Sequence, residues 1–313
     1  MSQGQSITPQ RVEAGLTTAA TFLVLSVKRK PEAIKAVRSL LASLPSIASG
    51  ITVSKDALIY TIGIGSQIWD EVTSLPRPSE LHPFPEVKGA KHTAVSTPGD
   101  LLFHIRAERR DITFEFERQV LDKLGDAVKV VDETVGFRYF DLRDLLGFVD
   151  GTANPTGQEL HDSVIIGDED KAAAGGSYIV VQKYLHNLAG WNKLPKEQQE
   201  AIVGRTKPDD VELDDAAPGE QAAHKTLATI ADDNGEEYDI LRDNMPFGSP
   251  ASGEYGTYFI GYSRRLWVIE KMMERMFIGE PVGKHDRILD YSKAVTGTTF
   301  FAPSATALAS IES

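Results

Sequence analysis

Residues Ala20–Leu44 read ATFLVLSVKRKPEAIKAVRSLLASL, and this stretch decides the fold of the first half of the chain. The run Ala20–Val27 is rich in β-branched and aromatic residues, which favour strands. Pro31 follows at a position where the first turn of a helix tolerates proline, and apolar residues recur after it at helical spacing. The stretch therefore predicts a strand, Ala20–Val27, that leads directly into a helix, Pro31–Leu44.

The remainder of the first half continues the alternation of strands and helices. Asp111 as an N-cap and Gly125 at the end bound one amphipathic run, which predicts a helix. The predicted elements are strand Ala57–Gly65, strand Asp100–Glu108, helix Asp111–Gly125 and strand Val128–Phe140. With the first strand and helix, their order is β-α-β-β-α-β, which is the order of a ferredoxin-like unit.

The second half can be interpreted in the same way. Its predicted elements are strand Gly176–Leu188, a helical region Asn192–Gly204, short strands Leu227–Ile230 and Tyr238–Arg242, strand Gly256–Ser263, helix Arg264–Phe277 and a closing strand at Phe300–Phe301. We therefore expect an α+β fold made of two ferredoxin-like halves with antiparallel sheets, residues 1–146 and 147–313. The junction between such halves is a common place for a functional site.

Composition and charge exclude several classes of protein. The 313 residues include no cysteine, so disulfides, thiolate metal sites and cysteine nucleophiles are excluded. The net charge of −12 argues against nucleic acids and anionic membranes as partners. The polar segment Met1–Gln10 does not resemble a signal peptide, and no apolar run reaches the ~20 residues of a membrane span. We therefore expect a cytoplasmic protein.

Two familiar motifs are absent from the chain. The sequence GIGSQIW, Gly63–Trp69, has Ile68 where a dinucleotide-binding loop needs its third glycine. None of the seven histidines forms an H-E-x-x-H motif, so a zinc hydrolase is poorly supported. The chemistry must therefore be sought in less regular patterns.

The stretch LLGFVDGTANP, Leu145–Pro155, carries one acid from an apolar run into a turn flanked by glycines. Asp150 there has two interpretations. It caps the turn by accepting hydrogen bonds from nearby backbone N–H groups, or it is a carboxylate held at the edge of a pocket, where glycine permits close approach of the backbone.

His224 and Arg242 also have two interpretations each when they are taken alone. His224, in EQAAHKTLATI, stands between a polar loop and a short apolar run, which suits either an exposed histidine or a ligand on a rigid element. Arg242, in YDILRDNMPFG, is either the partner of a nearby acid or a cation that serves a site.

Taken together, five segments resemble the dye-decolorizing peroxidases, haem enzymes, in their bacterial B type: GFVDGTANP, HKTLATI, LRDNMPFG, GTYFIGYSR and DRILDYSKAVTGTTFFAPS. The family pattern G-x-x-D-G is met by Gly147–Gly151, and the resemblance extends from Ala20 to Ser304. The family fold is a pair of ferredoxin-like halves. The resemblance therefore implies haem b (iron protoporphyrin IX), held mainly by the C-terminal half.

The resemblance also implies a role for each candidate residue on the proximal side of the haem. His224 would ligate the iron, and its second ring nitrogen would donate to Asp286, with Asp290 as the alternative partner. Arg205 matches a position near a haem propionate, although a cation at the end of a helix is an equally good interpretation. His186 is a further propionate candidate.

On the distal side the resemblance implies catalysis by two charged residues and an amide. Asp150 would move a proton between the peroxide oxygens, Arg242 would stabilise the departing hydroxide, and Asn244 would orient peroxide or water. Three neighbours in the loop would contact the macrocycle: Gly151, Thr152 and Asn154. Position 153 is alanine, where some relatives have an acid, which weakens the case for metal-assisted activity there.

The function implied is that of a haem peroxidase that reduces hydrogen peroxide and oxidises dyes, phenols or other aromatic donors. The alternatives are iron release from haem, as in a deferrochelatase, and a haem carrier or sensor without enzymatic activity. Aromatic residues that could relay electrons are Tyr178, Tyr184, Trp191, Tyr255, Tyr258, Tyr262 and Trp267. A homo-oligomer is expected, and the residues after Ser304 are short for a tail that docks into an encapsulin shell.

Overall fold

Strands and helices alternate through both halves of the chain in the computed structural model, which describes residues 6–52, 54, 57–232 and 234–311. The strands are β1 (Ala19–Val27), β2 (Ile59–Ile64), β3 (Val87–Lys88), β4 (Thr93–Ala94), β5 (Leu101–Ala107), β6 (Val128–Phe137), β7 (Ser177–His186), β8 (Ile230–Ala231), β9 (Glu237–Tyr238), β10 (Leu241–Arg242), β11 (Met245–Ser249), β12 (Glu254–Ser263), β13 (Ser292–Ala294) and β14 (Thr298–Ala302). The helices are α1 (Pro31–Ile51), α2 (Trp69–Thr73), α3 (Arg110–Leu124), α4 (Gly157–Val164), α5 (Leu188–Trp191), α6 (Lys196–Val203), α7 (His224–Ala228), α8 (Leu266–Phe277) and α9 (Ala305–Ala309).

Eight strands of the described chain form one closed antiparallel ring. The first half contributes β6-β1-β5-β2 and the second half contributes β14-β7-β12-β11, each in the strand order of a ferredoxin-like unit. The two sets join where Phe301 pairs with Ile64 and where Phe247 pairs with Gly136. The predicted α+β class with two ferredoxin-like halves is therefore confirmed. The boundary between residues 146 and 147 stays a prediction, because both halves share the ring.

The ring explains why its central strands are apolar on both faces. In β1, Phe22 and Val24 belong to the cluster that fills the ring. Their neighbours Leu23 and Leu25 face outwards and pack in the cluster that also contains Val37 of α1. Side chains alternate between the two faces of a strand, so a continuous apolar run is what a strand with two buried faces requires.

Several predicted elements have different bounds in the structure. Helix α3 begins at Arg110 after an N-cap at Arg109, so Asp111 lies in the first turn rather than at the cap, and Gly125 ends the helix as predicted. Within the predicted helical region Asn192–Gly204 only α6, Lys196–Val203, is helical, with Pro195 as its N-cap and Gly204 as its C-cap. The short helix α5 ends at Trp191, before that region begins.

The predicted strand Leu227–Ile230 is wrong. Leu227 lies in helix α7, and only Ile230–Ala231 is extended. The residues Thr226, Thr229 and Ile230 favour strand locally, but contact with α8 overrides that preference. The predicted strand Tyr238–Arg242 is likewise two short strands, β9 and β10, which belong to different sheets.

The strand that carries Arg242 ends at that residue, and the next strand, β11, begins at Met245, so Asn244 lies in the gap between them. Strands β10 and β11 keep one register against β12, with Arg242 opposite Gly261 and Met245 opposite Tyr258. Between these pairs, the backbone N–H of Ile260 donates to the side-chain oxygen of Asn244 at 3.2 Å. Asn244 thus replaces a backbone acceptor, and its side chain is fixed to the sheet.

Candidate active site

A cleft of about 260 Å³, partly open to solvent, lies on the second half of the molecule between the ring and helices α6, α7 and α8. The predicted site residues that line the cleft are Asp150, Gly151, Thr152, His186, Arg205, His224, Arg242 and Asn244. Asn154 and Asp286 lie behind its wall. The structure therefore gathers residues that are up to 94 positions apart in sequence around one space.

His224 is the first residue of α7, and a buried carboxylate fixes its ring. The Nδ1 atom of His224 lies 2.6 Å from Oδ2 of Asp286, a fully buried residue. The other carboxylate oxygen of Asp286 accepts from the backbone N–H of Ile288 at 3.0 Å. Of the two aspartates that the sequence left open, Asp286 therefore contacts His224, whereas Asp290 bonds Lys91, His92 and His285.

The second ring nitrogen of His224 remains free. Within the described chain, Nε2 makes no hydrogen bond, and one third of the side chain is exposed to the cleft. Burial lowers the pKa of His224, but the charge and hydrogen bond of Asp286 outweigh it, so that the pKa is raised overall. A proton and a metal ion would compete for Nε2, as is usual for a histidine ligand.

Asp150, Arg242 and Asn244 form the second polar group of the cleft. The amide nitrogen of Asn244 donates to both carboxylate oxygens of Asp150, at 3.3 and 3.1 Å. The half-buried guanidinium of Arg242 makes no ion pair with any described residue. Burial lowers the pKa of Arg242, and the charges of Asp150 and Asp239 oppose that shift. The cleft thus contains a cation that is available to an anionic ligand.

Asn154 lies behind the wall of the cleft and bonds the backbone of Arg242. It does not line the cleft, and it holds the backbone of Arg242 with two hydrogen bonds. Its Nδ2 donates to the carbonyl oxygen of Arg242 at 2.7 Å, and the N–H of Arg242 donates to its Oδ1 at 2.9 Å. Asn154 therefore positions Arg242, and its contact with the macrocycle stays a prediction.

The loop that carries Asp150 depends on a glycine. Gly151 has φ +81°, and a Cβ at this position would lie 3.2 Å from Nδ2 of Asn154. A larger residue would thus be strained and would press on the amide that holds Arg242. Thr152 lines the cleft, and its hydroxyl donates to Asp210 at 2.7 Å.

Two further predicted residues lie at the polar edge of the cleft. Arg205 donates to Asp210 at 2.8 Å and to Glu212 at 3.3 Å. His186 bonds Thr257 and Ser292 through its two ring nitrogens, at 2.9 and 2.8 Å. Burial lowers the pKa of His186 to about 4, so this ring is neutral near neutral pH. Both residues are fixed by neighbours before any ligand binds.

The family is decided by matches that cover almost the whole chain. The N-terminal model of the Dyp-type peroxidases matches residues 9–138, and their C-terminal model matches residues 141–307. The chain belongs to the Dyp-type peroxidase family. The resemblance predicted from the sequence is confirmed, and with it the peroxidase activity and the haem cofactor.

Known relatives of this Dyp-type peroxidase are close in sequence and structure. It is 51% identical over 299 residues to a curated dye-decolorizing peroxidase of Rhodococcus erythropolis, covering 95% of this chain and 87% of the relative. A solved variant of Rhodococcus jostii RHA1 DypB in complex with heme is 50% identical, with a TM-score of 0.94 over 97% of this chain and 99% of that one. The encapsulated DyP-type peroxidase from Mycobacterium smegmatis is 48% identical, with a TM-score of 0.92 over 97% and 98%.

Membership in the family also makes hydrogen peroxide and a reducing substrate the reactants of this peroxidase. Among the described helices, none has both the length and the apolar composition needed to cross a membrane.

Some residues of the cleft in this peroxidase were missed by the sequence reasoning. Met272, Met273 and Met276 of α8 line one wall, and their i, i+1, i+4 spacing on an amphipathic helix was the available signal. Asp144 lies at the opposite wall and accepts from the N–H of Phe148 at 3.0 Å. Burial, and next the charge of Asp150, raise the pKa of Asp144 to about 7.

Most of the aromatic residues considered as relays are buried core residues. Those with at most 8% exposure are Tyr178, Tyr184, Trp191, Tyr258 and Tyr262. Tyr184 lines the cleft, and Trp267 is 36% exposed at the start of α8. The ring of Trp267 meets that of Tyr238 edge to face at 5.0 Å.

Proposed function

We propose that this peroxidase binds haem b in the cleft, where His224 would hold the iron, and that it oxidises dyes, phenols or other aromatic donors with hydrogen peroxide. The observation that carries the proposal is the free Nε2 of His224, which faces the cleft while Asp286 holds Nδ1 at 2.6 Å. Histidine ligands of metals usually donate their second ring N–H to such a carboxylate. The residues present therefore fit haem, whose iron takes an axial imidazole.

Bound haem supplies the redox-active iron at which peroxide is reduced. The task of Asp286 is to keep the proton of His224 on Nδ1, so that Nε2 presents its lone pair to the cleft. The buried carboxylate also makes the imidazole more basic, which strengthens it as an electron donor. Because Ile288 and His224 occupy both oxygens of Asp286, the orientation of the ring is set by the backbone of the turn.

Asp150, Arg242 and Asn244 constitute the proposed peroxide side. The carboxylate of Asp150 accepts a proton from one peroxide oxygen and delivers it to the other. The amide of Asn244, fixed by Ile260, keeps that carboxylate in place at 3.1 Å. The guanidinium of Arg242, which has no ion pair among the described residues, would stabilise the negative charge that develops on the departing oxygen until Asp150 returns the proton and water leaves. Asn154 holds the backbone of Arg242.

The polar edge of the cleft suits the carboxylate groups of haem. Arg205 is the proposed propionate contact, and Asp210 keeps its guanidinium at the edge of the cleft. His186, neutral near neutral pH, is the second candidate donor. Thr152 and Gly151 complete the edge on the side of Asp150.

Donors too large for the cleft must react at its edge or at the surface. We place the surface reaction at Trp267, because it is exposed and contacts Tyr238. A cytoplasmic location, a homo-oligomeric state and an encapsulin shell as partner remain proposals. Cell fractionation tests the first, light scattering after size exclusion the second, and co-purification with a shell protein the third.

The decisive experiment compares absorption spectra of haem-loaded protein before and after peroxide. His224→Ala should lose most of the haem or show an altered spin state, because the chain has no cysteine to replace the ligand. His161→Ala is the matched control, since this half-exposed residue pairs with Glu13 at the surface. A normal histidine-ligated spectrum in the His224→Ala protein would refute the assignment.

The same spectra separate the alternatives. A peroxidase shows a rapid peroxide-dependent change and then returns to its resting spectrum when an aromatic donor is added. Iron release would instead leave the spectrum of a metal-free tetrapyrrole, and a carrier would show no turnover.

A further inference from the structure

A second group of metal-ligating side chains lies outside the cleft. His92, His285 and Asp290 place their ligand atoms within 4.8 Å of one another, and we refer to them as the His–His–Asp cluster. His92 belongs to the segment between β3 and β4 in the first half of the chain, and the other two residues belong to the second half. The cluster therefore joins segments almost 200 residues apart.

The geometry of the cluster is close to that of a metal site. The Nε2 atoms of His92 and His285 lie 2.8 and 3.0 Å from the same oxygen, Oδ1 of Asp290. Zinc holds such ligands at about 2.0–2.2 Å, which separates neighbouring ligand atoms in a tetrahedral site by about 3.3–3.5 Å. The two nitrogen–oxygen separations would therefore widen by a few tenths of an ångström to admit the ion, and all three ligand atoms already lie within 4.8 Å of one another.

The surroundings keep the three side chains in place. The exposed fractions of His92, His285 and Asp290 are 22%, 18% and 23%, so each is held by the fold yet accessible to an ion. The two histidine rings meet edge to face at 4.9 Å. The carbonyl oxygen of His92 accepts from the N–H of Gly89 at 2.9 Å, which closes the hairpin that carries it.

In this structure the ammonium group of Lys91 binds the carboxylate that a metal ion would use. Its Nζ donates to the same oxygen of Asp290 at 2.6 Å, so one carboxylate oxygen receives three donors. Lys91 is 58% exposed, and its long chain can turn to solvent without loss of packing. An ion at this point would replace one mobile positive charge by a fixed one.

We propose that His92, His285 and Asp290 form a binding site for one zinc ion, with water as the fourth ligand. Two imidazoles and one carboxylate are a common ligand set for zinc. The site lies on the turn Arg287–Asp290, whose N-cap is Asp286. Zinc there would fix the turn to the hairpin of the first half. The proposal is independent of the assignment of the haem ligand.

The test is isothermal titration of the haem-loaded protein with zinc chloride at about pH 7.5. We expect one zinc ion per chain, and about 100-fold weaker binding in His92→Ala and in His285→Ala, because each loses one of three protein ligands. Lys91→Met should bind zinc more tightly, since it removes the competing ammonium. His161→Ala is the control and should bind as the wild type does.

Circular dichroism and the haem spectrum show whether each variant is folded, and Asp290→Asn serves if a histidine variant is not. Absence of zinc binding by the wild type, or equal binding by the wild type and both histidine variants, overturns the proposal.

Discussion

Loss of the buried ion pair between Arg106 and Asp243 should destabilise the protein in a way that depends on pH. Arg106 of β5 is fully buried, and its Nη1 donates to Oδ2 of Asp243 at 2.9 Å. Asp243 is itself 1% exposed and stands between Arg242 and Asn244. Arg106→Met retains much of the apolar stem but leaves the carboxylate without its partner.

The magnitude follows from burial. Removing one partner of a buried pair costs about 3–5 kcal/mol, whereas an exposed pair contributes about 0–1 kcal/mol. With an unfolding entropy of about 2.1 cal/mol/K per residue, such a loss lowers the melting temperature of this 313-residue chain by about 5–8 °C. The pair therefore gives an effect well above that of a surface substitution.

The sign of the pH dependence follows from the pKa of Asp243. Burial raises this pKa and Arg106 opposes the rise, so the substitution raises it further. A raised pKa in the folded protein gives stability that is complete below the unfolded value, about 3.9, and is lost as pH rises through the folded value. The variant should therefore be nearly as stable as the wild type in acid and clearly less stable at neutral pH.

A second buried group adds to the same dependence. His104 Nε2 lies 3.9 Å from Oδ2 of Asp243. Burial, and next the charge of Arg106, hold the pKa of His104 well below its ordinary value. Without Arg106 the pKa of His104 is less depressed, so the variant loses less stability than the wild type does as pH falls below about 6.5.

The assay is calorimetric melting of haem-loaded protein at about pH 4.5 and about pH 7.5. Arg109→Met is the matched control, because its ion pair with Asp111 is 71% and 61% exposed. The double variant Arg106→Met/Asp243→Leu should lose the pH dependence. The reasoning would be refuted if Arg106→Met lowered the melting temperature equally at both pH values, or by no more than Arg109→Met does.

Three more predictions concern the cleft and the first half. Arg242→Leu should slow the peroxide-dependent change of the haem spectrum by about 10²–10³-fold in stopped flow, with little loss of haem, since one electrostatic donor is removed; a rate within a few-fold of wild type contradicts this. Asp286→Asn should weaken haem binding by about 10–100-fold in a transfer assay to apomyoglobin; unchanged transfer argues against its role. Burial, and next the charge of Glu133, raise the pKa of Glu117 to about 7, so its contribution to stability is present below about 4.5 and is lost as pH rises through about 7. Glu117→Gln should therefore melt higher than wild type above pH 7, and an equal melting temperature there contradicts the assignment.

The sequence predicted the elements of each half but not the way in which the halves join. Apolar runs such as Ala20–Val27 identify strands with two buried faces, because the pattern is local. Closure of the ring depends on single pairs, Phe301 with Ile64 and Phe247 with Gly136, which no local pattern reveals. Strand β11 was missed altogether, because Pro246 within NMPFG is typical of a turn.

The candidate site was predictable to the extent that family motifs fix positions along the chain. His224, Arg242 and Asp150 were named from such motifs, and the structure brings them to one cleft. The sequence could not decide whether Asp286 or Asp290 is the partner of His224, because the two residues are only one turn apart. The hydrogen bond in the structure identifies Asp286. The two hydrogen bonds between Asn154 and the backbone of Arg242 were not predicted, since the sequence gives no sign that this amide reaches a strand 88 residues later.

Met272, Met273 and Met276, which line one side of the cleft, affect how long the enzyme stays active in peroxide. Peroxide converts the sulfur of methionine to a sulfoxide, and three methionines line the cleft that we propose as the peroxide site. The sulfur of Met272 lies 4.0 Å from Nη2 of Arg242. A sulfoxide oxygen on that residue would be a strong acceptor for the guanidinium and would compete with peroxide for it. The enzyme would then lose activity in proportion to the number of turnovers rather than to the elapsed time. A methionine sulfoxide reductase would restore the activity.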